Sequence, residues 1–387
     1  MIFRNLKIFL TSSIFLISCS HDLMIKNFYS DDSGIFMFGK IPQRNFYEDL
    51  SISDSLELLW KAETNGSQSN TSIIINNDFL FVSDLSGRIY GFNIKSGKSI
   101  GYYKFSGSIA AAPIINKLRI YFAVNLKSEN YSLFVMKDIN NAKTLSETKI
   151  KGSINSEMLK LNDGIVVLSD RGELIKFNYA GIKIWSVETK TSTHSITASD
   201  GNIVIFGNDN GELFFVSSSE GKILFREKIS DYSINGITID NHNAYVCDSS
   251  GKLISFNIQT KKINWIFNSK ANIVSIPVFN SENIFIGNLS GKIFSIDKNN
   301  GKLKWSINTR GVINSTPLLL KNFLIQPDFN KKIYFINPEN GVIKKTLKYD
   351  TRIKLSPVFY DGYIFLGADR GQIFAYKTFR KNYDETL

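Results

Sequence analysis

Ile284-Phe285-Ile286-Gly287-Asn288-Leu289-Ser290-Gly291-Lys292-Ile293-Phe294-Ser295-Ile296 is the stretch that decides the fold. It opens as a short apolar strand that ends on a small residue. A polar turn follows, with Gly291 where such a turn requires positive φ, and a second apolar strand leads away. One hairpin of this kind is unremarkable. The same stretch, however, returns about every forty residues. It reappears as Ile203-Val-Ile-Phe-Gly-Asn-Asp-Asn-Gly211-Glu-Leu-Phe-Phe-Val, as Ala244-Tyr-Val-Cys-Asp-Ser-Ser-Gly251-Lys-Leu-Ile-Ser-Phe and as Ile364-Phe-Leu-Gly-Ala-Asp-Arg-Gly371-Gln-Ile-Phe-Ala-Tyr. Gly87 and Gly172 hold the same phase. Lys331 replaces the glycine in the copy before the last, and Asn130 is its counterpart in an irregular second copy with a polar insertion at Lys127 to Asn130. That makes eight copies.

Working outward, each copy contains two further strands. Pro277, Pro317 and Pro357 each lead a first strand, the position a strand tolerates in proline. After the hairpin comes a second turn, as in Asn299-Asn300-Gly301-Lys302, and then a fourth strand ending in tryptophan at Trp60, Trp185, Trp265 and Trp305, with Phe225 in that phase in another copy. All four tryptophans of the chain fall there. Four short antiparallel strands per forty residues make a propeller blade, and eight blades around an axis bury one another's faces. The predicted fold is therefore all-β, an eight-bladed β-propeller with four-stranded antiparallel blades. The last copy has three strands, ending at Tyr376. The first begins with an orphan strand, Leu56-Glu-Leu-Leu-Trp60, which predicts that this N-terminal strand completes the eighth blade and closes the ring.

Composition agrees. The chain has 387 residues, 43% of them hydrophobic, with 30 Phe and 16 Tyr. Aromatic and β-branched enrichment with regular glycine turns favours strands throughout. The formal charge of +11 reads as dispersed lysines, since no dense Lys/Arg block occurs; the alternative is attraction to acidic proteins or anionic lipid headgroups, and nucleic-acid binding is not expected of an exported chain.

The N-terminus has the order of an export signal. Arg4 and Lys7 precede an apolar run from Ile8 to Ile17, too short to span a bilayer, and then Leu16-Ile17-Ser18-Cys19. This resembles a bacterial lipobox. The resemblance implies cleavage before Cys19, acylation of its thiol and, with Ser20 following, placement at the outer membrane. The expected division is a signal peptide over 1–18, an acylated N-terminus and flexible tether over 19–54, the propeller over 55–378 and a polar tail over 379–387. Residues 20 to about 54 show no sustained alternation, which suggests a linker.

Reactive chemistry is hard to find. His21, His194 and His242 are scattered without metal-ligand spacing. Cys247 lies inside a strand and reads as a small buried hydrophobe. Asp84, Asp209, Asp248 and Asp369 recur from copy to copy before the glycine, which points to turn chemistry rather than to a carboxylate site. Gly97-Lys98-Ser99 is a fragment of a phosphate loop, but Phe92 stands where its first glycine is required. We expect no catalytic residue, no metal and no cofactor.

The repeat, apolar-x-apolar-Gly-x-x-x-Gly-x-apolar-aromatic followed by Gly-Lys and Trp, resembles that of quinoprotein-type propellers over residues 56 to 377. Together with the lipobox and a single eight-bladed ring, it is similar to the BamB family of barrel-assembly lipoproteins. That resemblance implies a non-enzymatic scaffold. Such a scaffold binds the periplasmic domains of the central barrel-assembly subunit and assists unfolded outer-membrane proteins. By family position, the contact falls on two inter-blade loops, Thr189 to Ser199 and Ser230 to Asn235, with Thr193, His194, Ser195 and Asp231 as candidates. The first loop lacks the Leu and Arg pair expected there, and the second has only one of two expected acids. Two other functions fit the repeat: an envelope lipoprotein that binds another protein or a polysaccharide, and a quinone-dependent dehydrogenase. The dehydrogenase pattern of an adjacent cysteine pair does not occur.

Overall fold

A computed structural model of the protein describes residues 22–30, 33–127 and 130–380. Eight antiparallel sheets follow one another along the chain, each in meander order from an inner to an outer strand. Blade 1 comprises Ile74–Asn76, Phe79–Ser83, Arg88–Asn93 and Ser99–Lys104, and blade 2 comprises Ile114–Asn116, Arg119–Asn125, Tyr131–Asp138 and Thr144–Lys151. Blades 3 to 7 repeat the plan up to the outer strand Ile343–Lys348. Blade 8 takes three strands from the C-terminal end and its outer strand, Ile52–Glu63, from the N-terminal end. Trp60 pairs with Ala375 and Leu58 with Tyr376 across that junction. The ring therefore closes as the orphan strand predicts.

Alternation explains the blades. The second and third strands of most sheets are buried on both faces, as in Gly164–Leu168 and Glu212–Ser217, because a neighbouring blade covers each side. Outer strands alternate, as in Leu303–Asn308, because one face meets solvent.

The tryptophans and the Gly-Lys turns are two halves of one device. Each tryptophan lies on an outer strand and reaches the turn before the outer strand of the next blade. Trp60 Nε1 donates to Ile94 O (2.8 Å), Trp185 to Ser218 O (3.1 Å), Trp265 to Lys298 O (3.1 Å) and Trp305 to Pro338 O (3.0 Å). The indole lies flat on the glycine of that turn. A Cβ on Gly97, Gly221, Gly301 or Gly341 would come within 2.5–2.9 Å of the ring, and all four glycines have positive φ. The indole N–H is thus satisfied while its body is covered.

The recurrent Asp or Asn is a turn cap in most copies. Asp84 Oδ1 accepts from the amides of Ser86 and Arg88, Asp248 Oδ1 from those of Ser250 and Lys252, and Asn288 Oδ1 from those of Ser290 and Lys292. Asp209 and Asp369 sit one residue further on and bind side chains of neighbouring inter-blade loops instead. Turn chemistry is thus only part of the explanation for the four acids.

The tether expectation needs a larger correction. Residues 33–52 pack along the ring's inner mouth, on the side opposite the inter-blade loops. They meet the inner strands one blade at a time. Ile35 bridges Ile75 of blade 1, and Ile115 N–H of blade 2 donates to Phe36 O. The Met37 sulfur faces the Lys160 amide of blade 3, Pro42 O accepts from Ser199 of blade 4, and Gln43 O accepts from Ile239 of blade 5. Asn45 exchanges two hydrogen bonds with Phe279 of blade 6, and Tyr47–Glu48 runs parallel to Leu319–Leu320 of blade 7. We call this segment the strap. It meets polar groups of the inner strands that would otherwise need water at the mouth. Ile35, Met37, Phe38 and Phe46 add apolar burial. It has no sequence period because its successive contacts are made with different blades, each by different chemistry.

Arg44 is the strap's centre. It is fully buried with φ at 66°. Its guanidinium donates to Phe38 O, Thr197 O, Met158 O and Glu157 O, joining the strap to blades 3 and 4. Burial lowers its pKa to about 10, and the nearby Glu157 carboxylate partly opposes the shift. Glu157 is itself buried, and desolvation pushes it up to about 7 against the pull of the Thr71 hydroxyl, the Ala112 amide and Arg44.

Candidate partner-binding face

The inter-blade loops and the turns between second and third strands, with Gly87, Gly172, Gly211 and Gly251, lie together on one face of the ring. The candidate residues do not all point outward. Thr193 is buried and donates through Oγ1 to Gly207 O (2.6 Å), and Ser195 is buried and accepts through Oγ from Gly207 N–H (3.0 Å). Both brace the loop against the second strand of blade 4. They are corrections to the expected contact set, since a side chain spent on internal backbone groups offers nothing to a partner. Their hydroxyls gave them the look of a polar surface loop, and only the tertiary contact reveals the difference.

His194 and Asp231 are outward. The His194 side chain is 63% exposed and its Nδ1 lies 3.0 Å from Asp209 Oδ2, while Asp231 is 82% exposed and pairs with Lys228 at 3.0 Å. Asp209 connects the two loops, because its Oδ1 also accepts from Ser233 Oγ (2.7 Å). Burial alone would raise Asp209, but hydrogen bonds from His194, Ser233 and Ser192 outweigh it and hold the carboxyl below the usual range. The loops 189–199 and 230–235 thus form one braced surface. Tyr232, between Asp231 and Ser233, is half exposed on it. Sequence reading passed over this tyrosine. Its only signal is an aromatic residue in a loop outside the strand period.

Elsewhere, Cys247 is fully buried and burial raises its thiol well above the ordinary value, which suits a packing residue. Cys19 and His21 lie outside the described residues. No described helix is long and apolar enough to cross a membrane.

Fold and site together define a single eight-bladed propeller of quinoprotein-type repeat, with one mouth strapped by its own N-terminal segment and the opposite face formed of inter-blade loops. Residues 171–379 match a family model described as outer membrane protein assembly factor BamB. The match spans more than half of the chain, and the protein belongs to that family. No curated protein matches its sequence. Among solved structures it is similar to BamB from Moraxella catarrhalis, with 13% identity and a TM-score of 0.71 over 84% of this chain and all of that one. It is also similar to a europium-containing methanol dehydrogenase, with 11% identity and a TM-score of 0.77 over 90% of this chain and 98% of that one. A quinohemoprotein alcohol dehydrogenase from Pseudomonas putida gives 10% identity and a TM-score of 0.75 over 92% and 81%. At these identities the likeness is one of fold.

Dehydrogenases of this fold raise the question of a metal and a quinone. A hard multivalent cation wants several carboxylate or carbonyl oxygens around one point. Near the strapped mouth Glu157 supplies a carboxylate already engaged by Ala112 N–H, with a guanidinium beside it. Among the described residues no three His, Cys, Asp or Glu side chains converge. That donor set does not fit such an ion.

Proposed function

We propose that this protein is a non-enzymatic scaffold of outer-membrane barrel assembly. Its loop face binds the periplasmic domains of the central assembly subunit, and through that subunit it assists unfolded outer-membrane proteins. The observation that carries this reading is the family match over 171–379, which contains both loops of the braced surface. His194, Tyr232 and Asp231 are the exposed side chains there. A half-exposed tyrosine flanked by an acid and an imidazole is the composition of an interface centre with a polar rim. Cys19 carries the acyl chains that hold the protein to the outer membrane.

The test is native co-purification from detergent-solubilised envelopes, followed by affinity measurement with His194→Glu, Tyr232→Ala and Asp231→Lys combined. A hot-spot loss of about 2 kcal/mol would weaken binding more than tenfold. Unchanged affinity would move the interface off these loops. Failure of the wild type to bind the assembly subunit would reject the scaffold reading.

A further inference from the structure

The chain enters the described structure at Asp22, in the cleft between blades 1 and 2. It is held there at once. Leu23 is fully buried, and its Cδ1 occupies the space that a side chain on Gly91 would fill. Ile25 N–H donates to Ile139 O (3.0 Å), and Phe28 N–H donates to Asn140 Oδ1 (2.7 Å). The buried Phe28 ring packs on Phe79 and Phe81 at 5.9 and 6.3 Å. In the sequence Cys19 precedes Asp22 by three residues, which limits its reach from that point to about 10 Å.

The ring's charge is uneven around that point. From Ile74 to Lys151, blades 1 and 2 carry eleven Lys and Arg against five Asp and Glu. From Leu159 to Asn308, blades 3 to 6 carry sixteen against fourteen, and blades 7 and 8, counted over Leu318 to Arg380 with Ile52 to Glu63, carry twelve against eight. The basic half of the ring is therefore blades 7, 8, 1 and 2, and the entry point of the chain selects blades 1 and 2 within it. Lys26 on the entering segment, Lys98 and Lys104 at the ends of blade 1's outer strand, and Lys143 and Lys151 at the ends of blade 2's are all exposed.

We propose that the outer edge of blades 1 and 2 is a membrane-facing surface, laid against anionic phospholipid headgroups beside the acyl anchor. The proposal rests on acylation of Cys19. A long flexible tether would leave the ring free to tumble and its charges beyond the screening length of about 8 Å. A three-residue leash on a clamped segment keeps this edge near the surface, where each lysine adds attraction to anionic lipid. The loops carrying His194 and Asp231 lie beyond blade 3, between blades 3 and 4 and between blades 4 and 5, and stay open to a partner.

The experiment reconstitutes the full acylated chain into vesicles of phosphatidylcholine with or without phosphatidylglycerol. A dye is placed through Lys104→Cys or, on blade 4, Lys228→Cys, and quenching by a lipid-borne quencher is read. Stronger quenching at position 104 is expected, and a Gly-Ser insertion between His21 and Asp22 should even out the two sites. In the unacylated Cys19→Ser chain, Lys98→Glu, Lys104→Glu and Lys143→Glu together should weaken partition to anionic vesicles about a hundredfold and leave neutral vesicles unaffected. Fatty-acid labelling is followed in parallel. Labelled protein with equal quenching at both sites overturns the surface but keeps the anchor, whereas absence of label overturns both.

Discussion

The ring and the strap are built on opposite principles. In the ring one solution is used repeatedly: an alternating strand, a glycine turn, and a tryptophan laid on the next blade's glycine. In the strap nothing repeats. Ile35, Phe36, Met37, Pro42, Gln43, Asn45 and Tyr47 each meet a different inner strand, and Arg44 alone gathers four carbonyls. A repeating device tolerates the loss of one copy, as Lys331 in place of a turn glycine shows, with φ at 63°. A set of single-use contacts has no such reserve. A lost strap contact therefore has no equivalent elsewhere in the molecule, and several measurements bear on that contrast.

The largest effect belongs where the two regions join. Deleting Ile52 to Glu63 removes the outer strand of blade 8, and the lost burial of Ile52 and Trp60 alone should cost at least about 5 kcal/mol. Thermal unfolding should move down as a single cooperative transition. A deletion of residues 33–50 should also destabilise the ring, in contrast to what a flexible tether would do. An unchanged melting temperature would return this segment to the status of a linker.

Within the ring, Trp185→Ala should cost about 3–5 kcal/mol by denaturant titration, since it opens the cover on Gly221 and frees Ser218 O. In the strap, Arg44→Met should cost about 3 kcal/mol at pH 8, because four carbonyls lose their donor and Glu157 loses its cation. The same variant at pH 5 should cost less, with Glu157 protonated.

Glu157 supplies the pH dependence. Its folded pKa, about 7, lies above the unfolded value of 4.5. The folded state therefore holds the proton more tightly. This contribution is fully present below pH 4.5, declines as pH rises, and is lost above pH 7. Glu157→Gln should match the wild type near pH 4 and exceed it by up to about 3 kcal/mol at pH 8. A constant difference across that range would mean that Glu157 is ionised in the folded protein throughout. The smallest effect is expected on the loop face. Tyr232→Ala with Asp231→Lys should shift stability by no more than about 0.5 kcal/mol while changing partner affinity, and a large melting shift would show that these side chains hold the fold.

Sequence alone determined the ring: eight copies, four strands each, the turn glycines, the shared phase of the tryptophans, and closure by Leu56–Trp60. These were legible because a repeated environment imposes a repeated pattern, and period-two alternation marks which face is covered. It also marked Asp231 and His194 as loop residues, both exposed in the structure. Only the tertiary structure decided that residues 33–52 form a strap, that Arg44 and Glu157 are buried beside each other, that Thr193 and Ser195 face inward, and that Tyr232 faces out. The physical reason is the same for all four. A contact made once, between residues far apart in the chain, leaves no period, and a serine or threonine hydroxyl looks alike in sequence whether it faces water or a buried carbonyl.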